Sequence, residues 1–76
     1  MNNKEIAENL NEIADLLDIK GEKPFRIRAY RKAAEVLLTL ENNLSEFYKK
    51  EKKLPKIKGI GESIGGKIEE LIKTGK

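Results

Sequence analysis

The 76 residues contain no cysteine and no histidine. The first absence excludes disulfides and thiolate metal sites; the second removes the commonest general base and metal-ligating side chain. No apolar run approaches the roughly 20 residues a membrane-spanning helix needs, and the N-terminus carries no signal-peptide pattern. The expectation is a soluble, cytoplasmic protein with no membrane partner. Strand-like alternation, low-complexity tracts and internal linkers are also missing, so residues 1–76 read as one domain. A chain this short buries a limited core and has modest stability.

What the sequence does have is charge, unevenly spread. The formal net charge is +3. Residues 1–22 hold two basic and six acidic side chains, whereas residues 23–76 hold fourteen basic and seven acidic ones. An acidic segment followed by a basic remainder suits a molecule with one face built for a polyanion. A lysine-rich solubilising surface gives the same count, so charge alone does not choose between them.

Apolar spacing predicts four helices and an all-α, compact four-helix domain. The first covers about Asn3 to Ile19, with Ile6, Leu10, Ile13 and Leu17 on one stripe beside Ala7 and Ala14. Asn2 and Glu5 have capping-box spacing, and Gly21 supplies a stop. The second covers about Pro24 to Leu40; proline suits a first helical position, and Ile27, Ala33, Ala34, Leu37 and Leu38 are the expected core face. The third covers about Leu44 to Lys52, starting at Asn43 and Glu46, with Leu44, Phe47 and Tyr48 as its apolar stripe. The fourth covers about Glu62 to Lys73 and ends at Thr74 and Gly75. Gly65 and Gly66 lie inside it, each costing about 1 kcal/mol relative to alanine. At least one of them is expected to allow close packing against the second helix.

The densest signal is the stretch Ile57-Lys58-Gly59-Ile60-Gly61-Glu62-Ser63-Ile64. Two glycines flank one apolar residue, and apolar residues then recur at Ile64, Ile68 and Leu71. This is helix-hairpin-helix grammar. Such a turn presents backbone N–H groups and a helix N-terminus to a phosphate, and glycine permits the close approach.

Three further blocks stand at set distances: Ala29-Tyr30-Arg31-Lys32-Ala33-Ala34 upstream, then Lys67-Ile68-Glu69-Glu70 and Thr74-Gly75-Lys76 downstream. With Gly59-Ile60-Gly61 they resemble the N-terminal, lyase-type domain of family X DNA polymerases, over nearly the whole chain. The resemblance implies a helix-hairpin-helix domain that grips gapped or nicked DNA, recognises its 5′-phosphate during repair, and forms the N-terminal fragment of a longer chain with a C-terminal polymerase domain. A monomer is expected.

The resemblance also carries individual residues. Lys67 matches the family's Schiff-base lysine, and its amine must be neutral to attack the aldehyde of a 5′-deoxyribose phosphate. Arg26, Arg31 and the hairpin lysines are expected to supply the positive field that favours that form. Tyr30 and Arg26 match positions of the 5′-phosphate pocket, and Phe25 stands where beta-type members have a stacking histidine. Ser63 and Pro55 stand where those members have phosphate-binding lysines, with Lys56 and Lys58 close enough to compensate. The N–H groups of Gly59 and Gly61 are expected to bind phosphate. No cofactor is implied in this domain apart from a monovalent cation, Na+ or K+, on the carbonyls of Ile57 and Ile60. Two readings remain beside DNA binding: a deoxyribose-phosphate or abasic-site lyase using Lys67, and a helical protein-interaction domain whose hairpin only packs.

Overall fold

The computed structural model describes residues 1–75; Lys76, the last residue of the Thr74-Gly75-Lys76 block, lies outside them. Among the described residues there are four helices and no strand: α1 (Asn3–Ile19), α2 (Pro24–Thr39), α3 (Leu44–Glu51) and α4 (Glu62–Thr74). None is long and apolar enough to cross a membrane.

Local chemistry sets the helix ends. At α1 the Asn2 side chain accepts from the Glu5 N–H at 2.8 Å, while the Glu5 carboxylate accepts from the Asn2 N–H at 2.9 Å, a complete capping box. At α3 the Asn43 side chain accepts from the N–H groups of Ser45 and Glu46. Gly21 (φ 78°) follows α1, and Gly75 (φ 71°) ends α4 in the left-handed region.

The four-residue link 20–23 reverses the chain and lays α2 antiparallel on α1. Their shared face buries Ile6, Ala7, Leu10 and Ala14 against Tyr30, Ala33, Ala34 and Leu37. The small alanines let the two helices approach closely. Leu44 from α3 and Ile64, Ile68 and Leu71 from α4 close the same core. Side-chain hydrogen bonds tie the start of α1 to the start of α3: Asn3 Nδ2 donates to the Asn42 carbonyl (2.7 Å), and Asn3 Oδ1 accepts from the Leu44 N–H (2.9 Å). Ser45 Oγ also donates to the Met1 carbonyl.

Two expectations are corrected. Leu38 is not a core residue; it is 60% exposed, because the buried face of α2 runs through Ala33, Ala34 and Leu37 and stops one position short of it. Gly65 and Gly66 do not serve close packing against α2. A Cβ at either position would meet no neighbouring atom within 4 Å.

Candidate functional site

The hairpin turn is built on Gly59. The Ile60 N–H donates to the Ile57 carbonyl at 3.1 Å, and Gly59, third of the four turn residues, has φ 94°. That is the pattern of a type II turn, in which the third residue must be left-handed. A Cβ on Gly59 would also lie 3.2 Å from Val36 Cγ2, so glycine here lets the turn sit down on α2. Gly61 differs. It is the N-cap of α4 with extended backbone (φ −84°, ψ 176°), and nothing stands within 4 Å of where its Cβ would be. The fold's own packing does not fill that space.

Beside Gly61, a hollow of about 340 Å³ is lined by residues from the first turns of α2 and α4. Phe25, Arg26, Ala29 and Tyr30 come from one face of α2; Gly59, Gly61, Ser63 and Ile64 come from the turn and α4. Six of these eight, Phe25, Arg26, Tyr30, Gly59, Gly61 and Ser63, are residues singled out from the sequence. Ala29 and Ile64 were missed. Helical spacing already places Ala29 one turn beyond Phe25, and Ile64 directly follows Ser63, so both were accessible from periodicity.

The two helix starts that meet here share a second property. Neither α2 nor α4 has a side-chain N-cap, although α1 and α3 both do. At α2 the first helical residue is Pro24, which has no N–H to satisfy, and Arg26 and Ile27 donate back to the Lys23 carbonyl. At α4 the first backbone bond runs from Gly65 N–H to the Gly61 carbonyl at 2.8 Å. The N–H groups of Glu62, Ser63 and Ile64 therefore have no acceptor among the described residues. Unsatisfied N–H groups at a helix start, with the positive end of the helix dipole, form an anion site.

Side chains add to it. Phe25 is 63% exposed, with Lys23 Nζ 6.0 Å from its ring centroid, so its face is accessible rather than part of the core. Tyr30 is buried, only 7% exposed, yet its hydroxyl makes no hydrogen bond with the described residues and is not sealed from solvent. Arg26 lies 3.6 Å from Glu22, a half-exposed pair one helical turn apart that a competing anion displaces at little cost.

The other predicted residues are not gathered into the hollow. Arg31 Nη2 bonds Asp15 Oδ1 at 2.8 Å, tying α2 to α1. Lys67 lies one turn beyond Ser63 on α4, does not line the hollow, and pairs with Glu70 at 3.4 Å. Lys56 and Lys58 line a different hollow, on the side of the hairpin shared with Gly65 and Gly66. Arg31 is thus engaged by Asp15, and the charge partner Lys67 has is a carboxylate. The Ile57 carbonyl accepts the turn's hydrogen bond and keeps one lone pair.

Comparison with known proteins agrees with this architecture. A family model described as a helix-hairpin-helix domain matches residues 1–76. The chain is 36% identical over 76 residues to the DNA polymerase/3′-5′ exonuclease PolX of Bacillus subtilis (strain 168). That alignment covers all of this chain and 13% of the relative's length. No solved structure matches.

Proposed function

The chain belongs to the helix-hairpin-helix domain family, and from that premise we propose that it binds DNA at a gap, seating the 5′-phosphate in the hollow between the starts of α2 and α4. The observation that carries this reading is the convergence of two helix N-termini without side-chain caps on one hollow that also has Arg26 and Tyr30 in its wall. A terminal phosphate is dianionic and rich in acceptors. It suits the orphan N–H groups of Glu62, Ser63 and Ile64, a bidentate contact from Arg26 and a hydrogen bond from the Tyr30 hydroxyl. Phe25, exposed at the rim, provides a face on which the unpaired base opposite the gap stacks.

The open space over Gly61 supports the same reading, since backbone can approach a phosphate there without a Cβ between them. Lys56 and Lys58, on the hairpin, contribute phosphodiester contacts to the flanking duplex. A sodium or potassium ion on the carbonyls of Ile57 and Ile60 would bridge the turn to one of those phosphates. The similarity to a DNA polymerase supports a role in gap repair as part of a larger polymerase chain.

Lys67 lies outside the hollow and pairs with Glu70 at 3.4 Å, so it is not among the groups assigned to the phosphate. Anisotropy titration against one-nucleotide-gapped DNA, with and without the downstream 5′-phosphate, tests the reading. Phosphorylated gaps should bind at least several-fold more tightly, and the preference should fall in Arg26→Gln and Tyr30→Phe. Equal affinity for the two DNAs would contradict it.

A further inference from the structure

The phosphate hollow uses only the N-terminal end of α4. At the opposite end a second hollow, of about 330 Å³, lies where α3, the last turn of α4 and the start of the chain meet. Three lysines line it, Lys49, Lys52 and Lys73, together with Tyr48 and Ser45, and among the described residues no acidic side chain does. None of the three lysines forms an ion pair with a described residue. Lys73 Nζ lies 6.0 Å from the Tyr48 ring centroid, which holds one ammonium over the hollow.

Lys52 is unusual in a second way. It is the one described non-glycine residue with a left-handed backbone (φ 63°), at the C-cap of α3. Glycine or asparagine adopts that conformation with less strain, yet a lysine stands there. The next residue, Lys53, lines the groove beside the hairpin with Lys56 and Lys58. Residues 49–58 thus hold six lysines against one acidic residue, Glu51, and connect the hairpin to the second hollow.

We propose that Lys49, Lys52 and Lys73 form a second DNA contact, gripping phosphodiesters of the duplex beyond the hairpin. This rests on the reading of the chain as DNA-binding, but not on the 5′-phosphate pocket. The 13 residues of α4 separate the two contacts by about 18–20 Å, or about five to six nucleotides at ~3.4 Å per step along one strand. Lysine acts as a point charge without bidentate geometry, so this contact reads no sequence. Its signature is counterion release, with each neutralised phosphate steepening the salt dependence of log K by about 0.9.

The test is the triple variant Lys49→Gln, Lys52→Gln, Lys73→Gln, titrated over a salt series on gapped DNA with a long downstream arm, with and without the 5′-phosphate. The salt slope should shrink by about two to three, equally on both DNAs, leaving their affinity ratio unchanged. The matching triple Lys→Arg variant should restore the slope. A control with the same charge loss, Lys4→Gln, Lys20→Gln, Lys32→Gln, should change the slope by less than one.

Three results would overturn the proposal. An unchanged slope with only a lower melting temperature would mean that the lysines merely offset helix C-terminal dipoles. An equal loss in the control would mean a general charge effect. A collapsed phosphate preference would assign the lysines to the first hollow. If wild-type protein shows no phosphate preference but the triple variant still lowers the slope, the pocket reading fails and this one stands.

Discussion

Where α1 and α3 begin, asparagine side chains close both helices; where α2 and α4 begin, no side chain does. At the first end Asn2 and Asn43 satisfy orphan N–H groups, and Asn3 ties the two starts together through Asn42 and Leu44. The asparagine side chains there are engaged by the fold. At the second end the donors of Glu62, Ser63 and Ile64 are left open over a hollow, beside an arginine held only by a half-exposed glutamate. Both ends use the same backbone geometry. The difference is whether the sequence supplies a side-chain acceptor, and on the proposed reading that decides whether the helix start serves stability or a ligand.

The contrast breaks most severely if the open end is given an acceptor of its own. Ser63→Glu puts a carboxylate in the first turn of α4, where it favours the helix. DNA affinity should fall about tenfold or more, roughly 1.4 kcal/mol, while the melting temperature holds or rises. A melt and an anisotropy titration on one preparation check both halves. A variant that binds as well as the parent would remove α4's start from the interface.

Asn2→Ala tests the closed end. Loss of the cap should cost about 1 kcal/mol of stability and lower the melting temperature by about 4–8 °C, with DNA affinity within twofold of wild type. A matching loss of affinity would mean that the two ends are not separable.

Gly61→Ala sharpens the comparison. No atom within 4 Å obstructs the new methyl group and the backbone is extended, so the melting temperature should hardly move. Binding should weaken about threefold, about 0.65 kcal/mol, since the methyl enters the phosphate's approach. Gly59→Ala makes the internal control: it meets both a positive φ and Val36, so it should destabilise the fold itself. The smallest effect is expected from Glu22→Gln, which releases Arg26 from an exposed pair. Affinity for the phosphorylated gap should rise about twofold, and less for the unphosphorylated one; a uniform rise on both DNAs would indicate general charge instead.

Much of this was legible in the sequence because it rests on local chemistry. Asn2 with Glu5, Pro24, Asn43 and Gly75 each carry a cap or stop signal, and every helix boundary lies within one residue of where those signals put it. The Gly59-Ile60-Gly61 turn was legible because only glycine accepts the backbone at position 59. Three features needed coordinates. Leu38 continues the apolar pattern of α2 but falls past the edge of the core, which is set by where α1 and α4 lie. Gly65 and Gly66 read as packing contacts, whereas nothing packs there, and spacing carries no information about empty space. The ion pairs of Arg31 with Asp15 and Arg26 with Glu22 depend on side-chain placement, and they sort the predicted cations into one tied to the fold and one held at the hollow.

The most direct test of the open helix start is a residue-resolved one. Backbone amide spectra of the 15N-labelled chain should be recorded with gapped DNA carrying a 5′-phosphate and with the same DNA ending in a hydroxyl. The account predicts that the difference between the two titrations concentrates at Gly61, Glu62, Ser63 and Ile64 and in the first turns of α2, with Asn2, Asn3 and Asn43 unaffected. Indistinguishable titrations, or a phosphate-dependent shift at the capped end instead, would contradict it.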